Sequence, residues 1–234
     1  MLWCEEIFEI AHWEETPIKP MPITTVIFDY GCVLSLPPTP KDFQPLHKAI
    51  GVKPAAFEET YWRYRDAYDI DAIDAFGYWQ EFGRDVGRNF SPVQIHKLAA
   101  LDCQIWGRPN LVMVEWVRLL RGRGLKAAII SNVSRTVGDY LRRTFRGMGL
   151  FNHICFSGEL KIMKPDAAIF HSCLAALGEP AAQTLFIDDR EVNIAAARAL
   201  GMNGIVFGSG EQLQSDLEPY GLAESLAEAK ARAG

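Results

Sequence analysis

No Cys-x-x-Cys pair occurs in the 234 residues, and the five cysteines (Cys4, Cys32, Cys103, Cys155, Cys173) are odd in number and widely spaced. That spacing excludes a disulfide framework and a thiolate zinc site, and it fits reduced thiols in a cytoplasmic protein. Nor does any uninterrupted apolar run approach the ~18 residues of a membrane span. Positive charge is in deficit: 24 Lys and Arg against 29 Asp and Glu leave a net charge of -5. A surplus of this sign argues against nucleic acid or an anionic membrane as partner. Residues 1–20 carry Glu5, Glu6, Glu9, Glu14 and Glu15 and no lysine or arginine before Lys19, so they match neither a secretory nor a mitochondrial signal. Low-complexity segments and internal repeats are also missing. What is present is ordinary globular composition, 49% hydrophobic and 23% charged. It suffices for one large domain, or one domain carrying an insertion.

The chain is organised around Val26-Ile27-Phe28-Asp29-Tyr30-Gly31-Cys32-Val33-Leu34. Three β-branched or aromatic residues in succession read as a central parallel strand buried on both faces. A carboxylate follows where that run ends, and a glycine two residues later permits a sharp turn. In open parallel sheets ligands bind beyond the carboxyl ends of the strands, which is where Asp29 falls.

Ahead of this strand, Trp3, Ile7, Ile10 and Trp13 can share a face of a short helix, and residues 1–21 are predicted to be an accessory extension. Behind it, Ser35 to Pro40 holds three prolines in four positions from Pro37, a hinge that cannot continue the strand. Residues 37–107 then read as wholly helical. Phe57, Tyr61, Tyr64 and Tyr68 fall on one helical face, Phe76, Trp79 and Val86 sketch a second helix, and Ser91-Pro92-Val93-Gln94 is a capping signal for a third. From Pro109 a helix runs to the glycines Gly122 and Gly124. Strands and helices then alternate: strand 125–130, a helix from Ser131-Asn132 to about Arg146, strand 153–156, helix from Pro165 to Leu177, strand 184–187, helix 191–200 and strand 204–207. Such alternation predicts an α/β fold, a Rossmann-like parallel sheet with helices on both faces. The predicted organisation is an extension at 1–21, a core of 22–36 with 108–234, and a small all-helical domain at 37–107.

Several familiar loops are absent or misplaced. Gly122-Arg123-Gly124 precedes a strand, whereas a dinucleotide fingerprint follows one. There is no Walker loop, no G-x-S-x-G and no H-E-x-x-H. The polar residues at the predicted strand ends are Asp29, Ser131-Asn132 and Asp188-Asp189, with Lys164 on the loop before Pro165. Converging aspartates make a hard-oxygen site suited to Mg²⁺, and a hydroxyl beside an ammonium binds phosphate oxygens. Taken singly, Ser131 and Asp188-Asp189 could instead cap helices, and Lys164 could be a solvated charge.

Four motifs, V-I-F-D-Y-G-C-V-L, I-I-S-N, M-K-P-D and F-I-D-D-R-E-V-N-I-A-A-A-R-A-L-G-M, resemble those of the haloacid dehalogenase (HAD) superfamily over residues 23–207. The helical insertion is similar to the cap of its sugar-phosphate phosphatases and of soluble-epoxide-hydrolase phosphatase domains. The resemblance implies that Asp29 is a nucleophile forming an aspartyl-phosphate. It implies that Asp29, the Gly31 carbonyl and Asp188 hold Mg²⁺ with Asp189 close by, and that Ser131, Asn132 and Lys164 bind the phosphoryl group. The implied substrate is a small phosphorylated metabolite handled by a monomer or homodimer, with Trp62, Arg63, Arg65, Tyr68 and Trp79 as specificity candidates. One departure stands out: relatives carry a general-acid aspartate two residues after the nucleophile, where this chain has Gly31. The resemblance therefore implies dependence on a good leaving group, as in a sugar-1-phosphate. A metal-free 2-haloacid dehalogenase and a non-catalytic phosphate-binding protein are the alternative expectations. The first is disfavoured by Asp188 and by the lack of arginine in residues 32–40.

Overall fold

The computed structural model describes residues 22–234, so the predicted extension and its Trp3–Trp13 face lie outside the described residues. In chain order, β1 (Thr25–Phe28) runs into a kinked turn at Tyr30–Leu34. Helices α1 (Pro40–Ile50), α2 (Pro54–Arg63), α3 (Arg65–Asp69), α4 (Ala75–Asp85), α5 (Pro92–Ile105) and α6 (Leu111–Gly122) follow. Then come β2 (Lys126–Ser131), α7 (Arg135–Thr144), β3 (His153–Phe156), α8 (Ser157–Leu160), α9 (Ala167–Leu177), β4 (Thr184–Asp188), α10 (Glu191–Ala199), β5 (Asn203–Val206), α11 (Gly210–Asp216) and α12 (Ala223–Ala233).

All pairings in the five-stranded sheet are parallel, in the order β3-β2-β1-β4-β5. The run Val26-Ile27-Phe28 is completely buried because β1 is the middle strand, paired with β2 on one side and β4 on the other. Alternate residues of β1 feed two cores. Val26 and Phe28 join Trp116, Leu120, Leu226 and Ala229 on one face, while Ile27 joins Phe170, Phe186 and Ile194 on the other. Phe28 meets Trp116 edge-on at 5.6 Å, and the Trp116 indole donates to the Ser225 hydroxyl at 2.8 Å. In that way α12 is fixed to α6, and the buried indole nitrogen is satisfied.

Helices α1 to α5 close around a third core of their own, built from Leu46, Phe57, Tyr61, Tyr78, Trp79, Phe82 and Leu98. The Ser91 capping box forms as the sequence predicts. The aromatic face 57–61–64–68 does not persist as one helix. The backbone leaves helical geometry at Tyr64 (φ -107°, ψ 6°), separating α2 from α3. This break exchanges Tyr64 for Arg65 on the buried side: Arg65 finds two carboxylates there, and the Tyr64 hydroxyl donates to Asp85 near the surface. Phe76 is a second correction. It lies in the first turn of α4 and is 39% exposed, and Tyr78 takes the buried place beside Trp79. Neither Ser131 nor Asp188 is an N-cap; Ser134 caps α7, and α10 begins after Arg190. Helices α11 and α12 follow the last strand and complete one face of the sheet. Among the described residues no helix is long and apolar enough to cross a membrane.

Candidate active site

The carboxyl ends of β1, β2 and β4 deliver Asp29, Ser131 and Asp188 to one point. Parallel pairing forces this, since Phe28 is in register with Ile129 and Ile187 and each polar residue follows within two positions. Lys164 arrives from the loop between α8 and α9. Its ammonium lies 3.0 Å from Asp29 Oδ1 and 2.6 Å from Asp188 Oδ2, with the lysine side chain only 1% exposed. A lysine enclosed to that degree is tolerable only because two carboxylates compensate it.

Burial opposes the charge on Lys164, yet Asp29 and Asp188 together hold its pKa above that of a free lysine. Burial pushes Asp29 up to about 6, against the opposing pull of Lys164 and of the Ser131 hydroxyl and with help from Asp188. Asp189, at the mouth of the site, is raised by burial and by Asp188.

Two asparagines hold this arrangement. The Asn132 side chain accepts from the Lys164 N–H at 2.8 Å and donates to the Lys164 carbonyl at 2.9 Å. Asn132 thus positions the lysine loop through its side chain, a part the sequence reading did not assign to it. Asn193, on the first turn of α10, was not singled out at all. Its amide donates to both oxygens of Asp188 at 2.9 and 3.0 Å, while its own carbonyl oxygen is buried without a partner among the described residues. The available signal was its place five residues after Asp188, one helical turn beyond an Asp-Asp pair.

Asp29, Asp188 and Asp189 each offer an oxygen, and these oxygens lie within 4.8 Å of one another. Three carboxylates with a polar neighbour left unpartnered form an all-oxygen donor set, which fits a hard divalent cation such as Mg²⁺. Gly31, extended at φ -62° and ψ 133° within the turn after β1, lines the same cavity.

The cavity has a volume of about 500 Å³. Asp29, Gly31, Ser131, Asn132, Lys164 and Asp189 line its sheet side, and Trp62, Arg65, Asp66, Asp69 and Trp106 its helical side. Every strand-end residue singled out in the sequence therefore meets at one place, Asp188 lying just behind the wall. The specificity candidates divide. Trp62 faces the cavity, half-exposed, but Tyr68 and Trp79 are buried in the third core, and Arg63 pairs with Glu59 and Asp85 away from it. Arg65 reaches the cavity wall already engaged, by Asp69 at 3.0 Å, by Asp102 at 3.1 Å and by the Tyr61 hydroxyl at 2.8 Å. It is not a free cation for a substrate.

Comparisons with known proteins agree with this architecture. A family model described as haloacid dehalogenase-like hydrolase matches residues 34–201. The sesquiterpene phosphatase astK of Aspergillus oryzae is 27% identical over 179 residues, 76% of this chain and 87% of that one. The haloacid dehalogenase-like hydrolase domain-containing protein 3 of Danio rerio is 33% identical over 115 residues, 47% of this chain, which matches 46% of that protein's length. A HAD family enzyme of Bacteroides thetaiotaomicron, solved with magnesium and inorganic phosphate, shares the fold at a TM-score of 0.65 and 20% identity, covering 80% of this chain and 96% of that one. With its match spanning more than half of the sequence, the chain belongs to the haloacid dehalogenase-like hydrolases.

Proposed function

We propose that the protein is a Mg²⁺-dependent phosphatase that hydrolyses a small phosphomonoester through an aspartyl-phosphate on Asp29. The observation that carries this reading is the convergence of Asp29, Lys164 and Asp188, at 3.0 and 2.6 Å, with Asp29 and Lys164 lining the cavity and Asp188 directly behind them. The similarity to a sesquiterpene phosphatase supports the same class of reaction. In this reading an oxygen of Asp29 attacks phosphorus in line with the departing oxygen. Lys164 and the Ser131 hydroxyl hold the phosphoryl oxygens as their charge redistributes, and the Asn132 amide keeps Lys164 at the required place. Water then cleaves the acyl phosphate and frees Asp29. Mg²⁺, held by Asp29, Asp188 and the Gly31 carbonyl with Asp189 beside them, would neutralise phosphoryl charge. Residues 37–107 act as the cap and the remainder of 22–234 as the core. Trp62 and Trp106 give the cap side an apolar wall, suited to an uncharged organic moiety.

The dehalogenase alternative is weaker on this geometry, because Asp188 and Asp189 add carboxylates that a metal-free displacement does not use. Phosphate release from 4-nitrophenyl phosphate, with and without EDTA, and chloride release from 2-chloropropionate test the choice. The expected result is Mg²⁺-restored phosphate release that is lost in Asp29→Asn. Chloride release without phosphate release would overturn the reading.

A further inference from the structure

Gly31 leaves the position two residues after Asp29 without a carboxyl group, but one stands on the opposite side of the cavity. Asp69, at the end of α3, lines the same cavity as Asp29 and Gly31 with its side chain nine-tenths buried. One of its oxygens accepts from Arg65 Nε at 3.0 Å, and the other accepts no hydrogen bond from any described residue. Its backbone is pinned to the sheet side. The Ser157 hydroxyl donates to the Asp69 carbonyl at 2.6 Å and accepts from the Val133 N–H at 2.9 Å, directly after Ser131-Asn132. The backbone of Asp69 is thus tied by two hydrogen bonds through the buried Ser157 to the segment that carries Ser131 and Asn132.

The surroundings set its protonation. Burial pushes the Asp69 carboxyl up to about 7; Arg65 opposes this, while Asp102 and Asp66 add to it. Arg65 and Asp66 belong to α3 itself, Asp102 comes from α5, and α4 brings the Tyr78 hydroxyl. On α8, Glu159 is paired with Arg142. A single guanidinium faces both Asp69 and Asp102, so one negative charge is in excess in this corner. A group that holds and releases a proton near neutrality suits general acid–base work. Of the other cavity-lining groups, the Cys32 thiol is pushed up to about 12 by burial, Asp66 is exposed, and Asp189 stands within the carboxylate cluster of Asp29 and Asp188.

We propose that Asp69 is the acid and base that Gly31 cannot be. As the P–O bond to the leaving group breaks, the protonated carboxyl gives its proton to the departing oxygen, releasing the neutral alcohol. The Asp69 carboxylate so formed takes a proton from the water that attacks the aspartyl-phosphate; the Asp29–phosphorus linkage breaks, and Asp29 and a protonated Asp69 are restored. Ester and water become alcohol and phosphate with no further reactant. With Asp69 in this role, the dependence on a good leaving group expected from Gly31 is weakened in the native chain.

This inference rests on the phosphatase reading above, and its test separates the two. For native protein, Asp69→Asn and Asp69→Asn/Gly31→Asp, kcat and kcat/KM are measured with Mg²⁺ on 4-nitrophenyl, phenyl and simple alkyl phosphates. In Asp69→Asn, kcat/KM should fall by about 10²-fold or more for the alkyl ester and least for the 4-nitrophenyl ester. A burst of 4-nitrophenolate should also precede a slowed steady state, because Asn cannot take the proton from water. The double variant should regain alkyl ester hydrolysis; a Cβ at position 31 meets only the Trp106 ring, at an ordinary 3.9 Å. Should Asp69→Asn not fold, the native pH profile decides. With Asp69 as the acid, kcat/KM for the alkyl ester declines as pH rises through about 7, and the 4-nitrophenyl ester declines less. Equal losses on all esters without a burst, or parallel native profiles, would make Asp69 a structural residue and overturn the proposal. Native protein inactive on every ester would overturn the phosphatase reading itself.

Discussion

Two buried ion clusters face each other across the cavity, each with one cation between two carboxylates: Lys164 with Asp29 and Asp188, and Arg65 with Asp69 and Asp102. Their chemistry differs where it matters. Lys164 is a point charge on a flexible stem, able to shift between Asp29, Asp188 and an incoming phosphoryl group. Arg65 is a planar fork whose Nε and Nη1 are committed to Asp69, Asp102 and the Tyr61 hydroxyl, and that hydroxyl itself donates to Asp102. The lesson is one of division: the sheet side holds charges that the proposed reaction re-pairs, whereas on the helical side Arg65 and Asp102 fix a shape and Asp69 keeps one oxygen free of hydrogen bonds among the described residues. In the first cluster a substitution should act on turnover; in the second it should act on folding at Arg65 and Asp102 and on turnover at Asp69.

The sharpest break of the comparison is Asp29→Asn. It removes the proposed nucleophile while leaving a side chain of the same size and the Lys164–Asp188 pair, so turnover should fall on the order of 10⁴-fold or more while the protein still folds. Next is Arg65→Met, which leaves Asp102 and Asp69 buried without a cation. A loss of about 3–5 kcal/mol in urea unfolding is expected, as for one partner removed from a buried pair. A loss below ~1 kcal/mol would mean that both carboxyls are already neutral or wet.

A smaller effect follows from Asp69. Its folded-state pKa, about 7, lies above the reference value of 3.8. The folded protein therefore binds the proton more tightly, and the resulting stability is full below about pH 4 and lost as pH rises through about 7. Native stability minus that of Asp69→Asn should decline across this window by roughly 1–2 kcal/mol, less than the whole shift because the side chain still reaches solvent. A difference flat with pH in paired urea titrations would place the carboxylate in its charged form throughout. The smallest effect on stability is that of Trp62→Ala. Trp62 is 54% exposed on the cavity rim, so the midpoint should move by less than ~0.5 kcal/mol while KM rises for the preferred ester.

The two clusters were also unequally legible in the sequence. Asp29, Ser131 and Asp188 could be read because central parallel strands leave unbroken apolar runs, and a polar residue ending such a run has a known destination. Lys164 was legible only beside its proline and as part of a family pattern. Arg65 and Asp69 look on paper like a solvated pair four residues apart on a helix face, worth a few tenths of a kcal/mol. What buries them is Asp102, 37 residues later, together with a helix break at Tyr64 that neither glycine nor proline announces. Asn193 was hidden for a similar reason: its partner lies before the helix begins, so no periodicity records it. Local patterns reach the ends of strands, whereas pairings that depend on how helices stack need the third dimension.

The amide of Asn132 touches the Lys164 backbone through one donated and one accepted bond, the same exchange that residues make across a sheet. In effect the loop before α9 gains a single rung of a ladder without being a strand. The ammonium is thus indexed to β2. Any shift of β2 against that loop would carry the charge with it, so position 132 is the one through which the sheet sets where the ammonium stands.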